Sequence, residues 1–294
     1  MVERVLVLGS QDNEATADLV AAWRRDGAEV WWPEPAEALE HATPRDLVVA
    51  RLDVLPTLDG VEPGLLALLL LERRGLRVVN RAAALVTSHD KARTAAALRA
   101  AGLPQPRTIV ARHLGDVTLS PPVVLKPRFG SWGRHVFWCD SIREVADVLD
   151  SIASCRWFVR HGVIVQAAVP PVGHDLRLVV AAGRVVGCAR RRAAPGEWRT
   201  NVSLGGTFEP TPPPDDACAL ACAAAAAVGG DLVGVDLLPA RRPGGSPAVL
   251  EVNGAVEFDA DCALAGGDVF LEVGRALGVP LASAGPRRHA FAAR

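Results

Sequence analysis

The chain has 294 residues, of which 50% are hydrophobic and 22% are charged. This length and composition predict about two folded domains around a full hydrophobic core, and they exclude a disordered chain. The formal net charge of -1 gives no electrostatic basis for binding nucleic acid, because domains that bind nucleic acid are usually basic.

The first eighty residues alternate strand patterns with helix patterns. Apolar strands and amphipathic helices follow one another over residues 5–80, which is typical of a small parallel α/β domain. The turn at residues 9–12 comes directly after the first strand, at the end where parallel sheets bind ligands. We favour a plain turn there, with a substrate contact as the alternative.

A helix is predicted over residues 88–102. Ser88 is suited to cap its start, and Gly102 is suited to end it before Pro104. Lys91 then lies in the first turn, where the helix dipole opposes a cation by a few tenths of a kcal/mol. Either an anionic ligand is the partner of Lys91, or Asp90 neutralises it at the surface.

A strand followed by a glycine loop is predicted at residues 123–134. Lys126 lies at the end of the strand, and the loop contains Gly130 and Gly133, which allow backbone amides to approach an anion. The lysine precedes the glycines, so this is not the Walker pattern. A nucleotide site and an ordinary hairpin with a strand-end lysine are equally compatible with this stretch.

Arginines cluster after the strand predicted at residues 184–189. Three of them are consecutive, Arg190, Arg191 and Arg192. A fourth, Arg199, precedes a pair of glycines. A run of charges is usually a solvated face, which is the interpretation that composition alone favours. The alternative is an anion site, because a guanidinium matches a carboxylate at two points.

Two late strands carry oxygen-bearing side chains at 234–238 and 249–253. Residues two apart in a strand share a face, so Glu251 and Asn253 project together while Leu250 points away. The turn-rich connector at 241–247 would bring Asp236 onto the same face. Magnesium prefers such oxygens, although solvent-facing acids on an edge hairpin are the alternative.

Composition also bears on compartment and membrane. The six cysteines are scattered through apolar segments, and the seven histidines lack metal-ligand spacing. Because the sequence starts directly with a strand pattern, we expect no signal peptide. The apolar run at 65–71 is far shorter than the roughly 20 residues of a membrane span. We therefore expect a cytoplasmic protein with reduced thiols and no membrane partner.

Taken together, seven motifs in order resemble the ATP-grasp superfamily, and within it the RimK-type and LysX-type carboxylate–amine ligases. The resemblance covers about residues 78–279. The motifs are Asp90-Lys91, Leu125-Lys126-Pro127, Gly130-Ser131-Trp132-Gly133-Arg134, Gly173-His174-Asp175-Leu176-Arg177, Arg199-Thr200-Asn201 with Gly205-Gly206, Gly234-Val235-Asp236, and Glu251-Val252-Asn253.

The resemblance implies an α/β fold in which a small parallel domain precedes two α+β subdomains that grip ATP between them. The implied ranges are 1–85 for the N-terminal domain, 86–165 for the central subdomain with the glycine loop, and 166–294 for the C-terminal subdomain with the metal site. It also implies a homo-oligomer.

The resemblance further implies roles for individual residues. ATP would be bound by Lys91, Lys126, Gly130, Ser131, Trp132, Gly133, the hinge residues Gln166, Ala167, Ala168 and Val169, and by Asp175, Arg191 and Asn201. Catalytic contacts to phosphate, acyl phosphate or substrate carboxylate would come from Arg177, Arg191, Arg199 and Asn201. Two Mg²⁺ ions, replaceable by Mn²⁺, would be held by Asp236, Glu251 and Asn253.

Two positions depart from the family pattern. Ala167 stands where the hinge usually has glutamate, which puts one adenine or ribose contact in doubt. His135 stands where RimK-type members often have another glycine, which leaves the mobility of the loop open.

The implied activity is ATP-dependent amide formation between the amine of an amino acid and a carboxylate. The acceptor carboxylate would belong to a small acidic carrier protein or peptide tail, or to a small metabolite. A nucleotide-binding regulatory module without chemistry and a kinase are the remaining alternatives.

Overall fold

The computed structural model describes residues 2–240, 245–264 and 266–282. The N-terminal part contains a four-stranded parallel sheet in the order β2-β1-β3-β4. After their first residues, Arg4 and Asp46, both β1 and β3 are apolar and buried, as is typical of parallel strands covered on both faces. The strands are β1 (Arg4–Leu8), β2 (Val30–Trp31), β3 (Asp46–Ala50) and β4 (Arg77–Val79), and the helices are α1 (Glu14–Arg25), α2 (Pro35–His41), α3 (Leu65–Arg73) and α4 (Ala82–His89).

The central part contains a four-stranded antiparallel sheet in the order β5-β8-β6-β7. The second of its helices, α6, buries one apolar face formed by Val145, Leu149 and Ile152. The elements are α5 (Lys91–Ala100), β5 (Thr108–Ala111), β6 (Val123–Pro127), β7 (Phe137–Cys139), α6 (Ile142–Ile152), α7 (Arg156–His161) and β8 (Val163–Ala167).

The C-terminal part contains a five-stranded antiparallel sheet in the order β11-β10-β9-β12-β13. Residues 241–244 of the connector between β12 and β13 lie outside the described residues. The elements are β9 (His174–Ala181), β10 (Arg184–Arg192), β11 (Thr207–Pro210), α8 (Asp215–Val228), β12 (Leu232–Leu238), β13 (Ala248–Asn253) and α9 (Val269–Leu277).

The start of the helix predicted at 88–102 was wrong by two residues. Ser88 belongs to α4, where its hydroxyl donates to the carbonyl of Leu85. Asp90 is the cap of α5, because its carboxylate accepts from the amides of Ala92 and Arg93. A carboxylate also suits the positive end of the helix dipole, so Lys91 becomes the first residue of the helix.

The N-terminal and C-terminal sheets share one hydrophobic core. Val5 and Val7 of β1 belong to the same buried cluster as Val179 of β9 and Val269 of α9. Asn80, just after β4, donates to the carbonyls of Leu232 and Gly254 and accepts from two amides of the C-terminal part. The boundaries 1–85, 86–165 and 166–294 stay predictions.

Candidate active site

A cavity of about 750 Å³ lies where the three sheets meet. The residues that line it come from the N-terminal part, from the central sheet and from the C-terminal sheet. Of all the residues predicted to bind ATP or metal or to act in catalysis, only Ala168 does not line this cavity. The predicted site residues that line this cavity are therefore up to 162 positions apart in the sequence, from Lys91 to Asn253.

The predicted metal residues lie together on the β12–β13 hairpin. Asp236 of β12 pairs directly with Glu251 of β13. The amide nitrogen Nδ2 of Asn253 donates to Oδ2 of Asp236 across 3.3 Å. The two strands therefore present two carboxylates and an amide to the cavity from neighbouring positions.

The prediction that Leu250 points away from these oxygens was wrong. A β-bulge lies between Asp236 and Leu237, so that Glu251 pairs with Asp236 while Val249 pairs with Leu237. The extra residue, Leu250, is half-buried and lines the cavity beside Glu251. A bulge breaks the two-residue alternation, and the alternation was the basis of the prediction.

Two glycines allow the chain to pass close to the hairpin. A side chain at Gly234 would overlap Val256, which packs over β12 in the loop that follows β13. A side chain at Gly254 would overlap Ser88 of α4. The absence of Cβ at these positions lets the loop after β13 run between the metal residues and α4.

Buried ion pairs surround Asp236. Arg177 donates to both of its carboxylate oxygens at 2.9 Å, and Nη2 of Arg191 lies 2.8 Å from Oδ2. Arg191 also donates to both oxygens of Asp175 at 2.8 and 2.6 Å, and Thr200 donates to Asp175. The network contains two positive and two negative charges, and all four side chains are buried.

This network sets the ionisation of its members. Burial alone would raise the pKa of Asp236, but Arg177 and Arg191 outweigh it and hold the pKa well below its usual range. Burial lowers the pKa of Arg191, but the charges of Asp236 and Asp175 raise it by more than burial lowers it. The net pKa therefore lies above its ordinary value. The site keeps both groups charged at neutral pH.

The interpretation of the arginine run as a solvated face was wrong for its middle member. Arg191 points into the cavity, whereas Arg190 and Arg192 point to the other face of β10, where both lie close to Glu209. Successive residues of a strand face opposite sides, so one buried arginine stands between two more exposed ones.

Lys91 has a partner other than Asp90. Its Nζ lies 2.7 Å from Oε1 of Glu251 and donates to the carbonyl of Gly130. Asp90 instead binds Arg128 through two hydrogen bonds of 2.6 and 2.7 Å. The structure therefore contradicts surface neutralisation of Lys91 by Asp90, and it places Lys91 between the glycine loop and a predicted metal residue.

Lys126 is a buried cation, 7% exposed, whose ammonium group forms no ion pair or hydrogen bond with any residue that the structure describes. Burial lowers its pKa to about 8, an effect that Glu251 and Asp236 oppose and Lys91 adds to. A buried ammonium without a partner is costly. Lys126 is therefore suited to an anionic ligand in the cavity.

The glycine loop is folded over the cavity and held there from two sides. Trp132 donates through Nε1 to Glu257 at 3.2 Å, and Ser203 donates to the carbonyl of Trp132 at 2.9 Å. Arg199 donates to the carbonyl of Gly133 at 3.0 Å. Gly133 has a φ of +68° and lies against Asn201.

The positions that depart from the family pattern have structural explanations. His135 packs against Trp157, with ring centroids 5.7 Å apart, which ties the end of the glycine loop to α7. Ala167 lines the cavity, and its amide donates to the carbonyl of Arg107. The loop is therefore anchored at His135, and the hinge at Ala167 offers only backbone and a methyl group.

The hinge is only partly arranged as predicted. Gln166, Ala167 and Val169 line the cavity, but the amide of Ala168 donates to the carbonyl of Pro122, outside it. The prediction of Ala168 as a nucleotide contact is not supported. The amide of Val169 has no acceptor among the described residues and can donate to a ligand.

Sequence reasoning missed Arg51 and Asp53, which also line the cavity. Both follow β3, at the carboxyl end of a parallel strand, which was an available signal. Ser10 and Asp12 of the turn after β1 line the cavity as well, against the plain-turn interpretation. The N-terminal sheet thus directs its ligand-binding end at the predicted metal hairpin.

Among residues 2–240, 245–264 and 266–282, no three His, Cys, Asp or Glu side chains form a metal cluster. In the same part of the chain, no helix combines the length and the apolar character needed to span a bilayer.

Comparison with known families decides the assignment. The RimK-like ATP-grasp domain matches residues 88–270, more than half of the chain. The chain belongs to the RimK-like ATP-grasp family. The predicted family is confirmed, and membership implies an ATP site and the use of a divalent metal, while the number and identity of the ions stay predictions.

Solved structures confirm the predicted ATP-grasp fold. The crystal structure of a RimK domain ATP-grasp protein from Sphaerobacter thermophilus aligns with a TM-score of 0.66 and 23% identity, over 92% of this chain and 98% of that chain. At this identity the likeness concerns the fold alone.

Two curated relatives are ligases by name. A probable alpha-L-glutamate ligase from Aeromonas salmonicida is 32% identical over 67% of this chain and 66% of its own length. The Glutamate--LysW ligase ArgX of Sulfurisphaera tokodaii is 28% identical over 64% of this chain and 68% of its own length. The chain thus spans about two thirds of the length of these relatives.

Proposed function

We propose that this RimK-like ATP-grasp protein is an ATP-dependent ligase that joins the amine of an amino acid to a carboxylate and releases ADP and phosphate. The observation that carries the proposal is the meeting, in one cavity, of the buried and unpaired Lys126 with Asp236, Glu251 and Asn253. The family assignment and the relatives named as ligases support it.

The residues present fit a nucleotide. Leu250 and Val124 form apolar wall beside the hinge, as a purine base requires. Lys126 lies two residues after Val124 on β6 and also lines the cavity, and Nζ of Lys91 contacts the carbonyl of Gly130 in the glycine loop. In this proposal the base lies at the hinge, and the phosphates lie between the two lysines and the glycine loop.

The residues present also fit a hard divalent cation. Asp236, Glu251 and Asn253 offer the oxygens that Mg²⁺ prefers, with Mn²⁺ as a substitute. When bound, such ions, two in this proposal, would act as Lewis acids that neutralise phosphate charge. Glu251 is now paired with Lys91 and Asp236 with two arginines, so these cations would exchange partners when the nucleotide enters.

The chemistry needs position and charge rather than a nucleophilic side chain. A carboxylate oxygen of the acceptor attacks the γ-phosphorus, the bond to the bridging oxygen breaks, and ADP leaves. The amine then attacks the acyl carbon, the bond to the phosphate oxygen breaks, and the nitrogen loses a proton. Lys126, Lys91 and Arg191 stabilise the charge that develops on oxygen in both steps.

The roles proposed for the remaining arginines follow their contacts. The guanidinium of Arg177 is committed to Asp236 and to the carbonyl of Glu257, so we assign it to shaping the metal side of the site. Arg199 and Asn201 contact the glycine loop, so we assign them to holding the loop over the acyl phosphate.

We propose that the acceptor carboxylate belongs to a small acidic carrier protein or to a peptide tail. One relative carries the name of a glutamate ligase that acts on LysW. Small-metabolite acids are the second candidate class of acceptor. We further propose a cytoplasmic homo-oligomer that does not bind nucleic acid or membranes, with the ranges 1–85, 86–165 and 166–294 as its structural units.

The test is an assay of ADP, free phosphate and product mass with ATP, Mg²⁺ and a panel of L-amino acids. Acceptors are glutamate-terminated peptides and a carrier protein in one series and small carboxylic acids in the other. We expect ADP and free phosphate in equal amounts, with a product heavier by one amino acid less water. ADP without free phosphate would indicate a kinase, and no ADP with any pair would contradict a ligase.

A further inference from the structure

Glu257 is a carboxylate of the cavity wall to which the proposed chemistry gives no role. It lies four residues after Asn253, in the segment that follows β13, and it is half-buried. Within the described part of the chain its side chain forms one hydrogen bond. The donor is Nε1 of Trp132, at 3.2 Å, in the glycine loop 125 positions earlier.

The backbone around Glu257 is fixed by arginines of two different sheets. Its own carbonyl accepts from Arg177 of β9 at 3.2 Å, and Arg177 is paired with Asp236. The carbonyl of the preceding residue, Val256, accepts at 2.7 Å from Arg51, which follows β3 and is buried. Glu257 is therefore a rigid point from which a side chain reaches across the cavity to the glycine loop.

Trp132 has a backbone conformation that a bulky residue rarely adopts. Its φ is +58°, in the left-handed region, where the Cβ atom crowds the following carbonyl oxygen. Such a conformation persists only where the surroundings enforce it. Two contacts from the C-terminal part do so, because Ser203 donates to the carbonyl of Trp132 at 2.9 Å and Glu257 accepts from its indole.

Charges on two sides orient the indole ring. The guanidinium of Arg134 lies 5.0 Å from the ring centroid of Trp132, and the carboxylate of Glu257 lies at the N–H edge. The face of an aromatic ring is negative and its edge is positive, so each charge meets the part of the ring that attracts it. The ring lines the cavity in this orientation.

We propose that Glu257 is a positioning residue of the glycine loop. Its carboxylate holds the indole of Trp132, so that the loop stays closed while the acyl phosphate exists and water does not reach the acyl carbon. Glu257 acts through Trp132 and needs no contact with the reacting atoms. This inference rests on the proposed ligase function and adds the contact that keeps ATP consumption coupled to amide formation.

The reaction that this contact suppresses is hydrolysis of the acyl phosphate. A water oxygen attacks the acyl carbon, the bond from this carbon to the phosphate oxygen breaks, and the water loses a proton. The acceptor carboxylate is regenerated, so one ATP and one water give ADP and phosphate without amide. Because water and the amine compete for the same carbon, the ratio of ADP to amide measures how well the loop excludes water.

The first measurement is this ratio in single variants. Trp132→Phe keeps an aromatic ring but removes the N–H donor, and Glu257→Ala removes the acceptor. Since either change removes the same hydrogen bond to a charged group, we expect the ratio to rise from about one to at least about two in both. Glu257→Gln retains an oxygen that accepts from the indole, and we expect it to restore most of the coupling.

The double variant Trp132→Phe/Glu257→Ala tests whether the two residues act through one contact. We expect its ratio to equal that of either single variant, because the second change then removes nothing further. The matched control is Trp32→Phe, which removes an indole donor to the carbonyl of Gly9 at 3.0 Å, outside the cavity lining. We expect this control to keep the ratio of wild type. A double variant with the combined effect of two independent losses would overturn the inference.

The second measurement needs no turnover. Amide hydrogen exchange is followed at residues 130–135 in the free protein and with Mg²⁺ and a non-hydrolysable ATP analogue. We expect exchange there to be roughly tenfold faster in Trp132→Phe and in Glu257→Ala than in wild type. Residues 123–127 of β6 should exchange as in wild type.

Each remaining outcome is decisive. Unchanged exchange at 130–135 in both variants would show that Glu257 does not position the loop, and an unchanged ratio of ADP to amide would show that the contact does not exclude water. Either result would overturn the inference and leave the ligase proposal intact. Absence of ADP from wild type with every pair of substrates would instead contradict the ligase proposal, whereas the exchange measurement would still test the contact.

Discussion

At the scale of single residues, the site depends on a balance of buried charges. Asp175, Arg177, Arg191 and Asp236 neutralise one another through bonds of 2.6 to 2.9 Å. Removing one member of such a group leaves an uncompensated buried charge, which costs far more than the whole group contributes. Asp236 is therefore a structural residue as well as a proposed metal ligand.

Asp236→Asn and Glu251→Gln should differ in stability although both stop turnover. We expect Asp236→Asn to lower the free energy of unfolding by about 3 to 5 kcal/mol, because Arg177 then loses its carboxylate partner and Arg191 keeps only Asp175. Among the described residues Glu251 has one ion pair, with Lys91, and both side chains are partly exposed, so Glu251→Gln should cost about 1 kcal/mol. Urea unfolding followed by an ADP-release assay measures both effects, and equal stability of the two variants would contradict this account.

The ionisation of Lys126 should make nucleotide binding depend on pH. Its pKa lies at about 8 because burial disfavours the charged form, and phosphate favours the charged form, so binding raises that pKa. The free protein loses the ammonium above pH 8, and we expect nucleotide affinity to fall toward tenfold for each further pH unit. Calorimetry from pH 7 to 9.5 measures this.

Lys126→Met is the control for that pH dependence. It has no group that titrates at this position, so we expect weaker binding at pH 7 and no added loss of affinity above pH 8. The same slope in the variant and in wild type would show that another group is responsible.

At the scale of elements, the glycine loop is the part whose position matters most. Trp132, Gly133 and the residues at 199–203 form hydrogen bonds across the cavity, which close the loop over it. Gly133 needs a positive φ of +68°, and an added Cβ would lie 2.9 Å from Oδ1 of Asn201. Both constraints act on the loop in the position that the structure shows.

Gly133→Ala should therefore impair turnover more than folding. A strain of about 1 to 2 kcal/mol on the closed loop lowers kcat roughly tenfold, while the melting temperature changes little. The matched control is Gly60→Ala, where the nearest atom to an added Cβ is Cδ1 of Leu55 at an ordinary 3.7 Å. Steady-state kinetics and thermal unfolding test this, and a normal kcat for Gly133→Ala would contradict the role of the loop.

Sequence patterns predicted the elements of the site better than their details. Lys126, the glycine loop and the Asp236 hairpin were placed correctly, because strand alternation and glycine positions are local signals. The bulge that turns Leu250 into the cavity was not visible, since it depends on how β13 pairs with β12. The helix start was misplaced because Ser88 and Asp90 are both good caps, and the contact with Arg128 that favours Asp90 is long-range.

At the scale of the whole molecule, the N-terminal and C-terminal parts fold around one core. The side chain of Asn80, a residue that is 1% exposed, forms four hydrogen bonds with the backbone of the C-terminal part. It donates to the carbonyls of Leu232 and Gly254 and accepts from the amides of Asp231 and Leu232. This places the ends of β1 and β3 opposite the β12–β13 hairpin and creates the wall that contains Arg51. The cavity exists only when these parts are joined.

Asn80→Ala should destabilise both parts together. It leaves buried backbone groups of Leu232 and Gly254 unsatisfied, which costs about 3 to 5 kcal/mol in total. We expect a single calorimetric transition at a lower temperature. The control Gln105→Ala removes one hydrogen bond to the carbonyl of Ala95 and should cost about 1 kcal/mol. Two separate transitions in Asn80→Ala would contradict the shared core.

The sequence could not predict the contacts that join distant segments. The partner of Lys91 is 160 positions away in Glu251, and Arg51 bonds to Val256 across 205 positions. Local patterns contain no information about such pairs. The family motifs indicated which residues meet, whereas the ion pairs among them became visible only in three dimensions.

The most direct test of the central claim is a crystal structure with a non-hydrolysable ATP analogue and Mg²⁺. We expect the phosphates within hydrogen-bond distance of Lys126 Nζ, a metal coordinated by Asp236 and Glu251, and Lys91 moved from Glu251 to phosphate. A nucleotide bound elsewhere, or phosphates bound while Lys126 stays without a partner, would contradict the account.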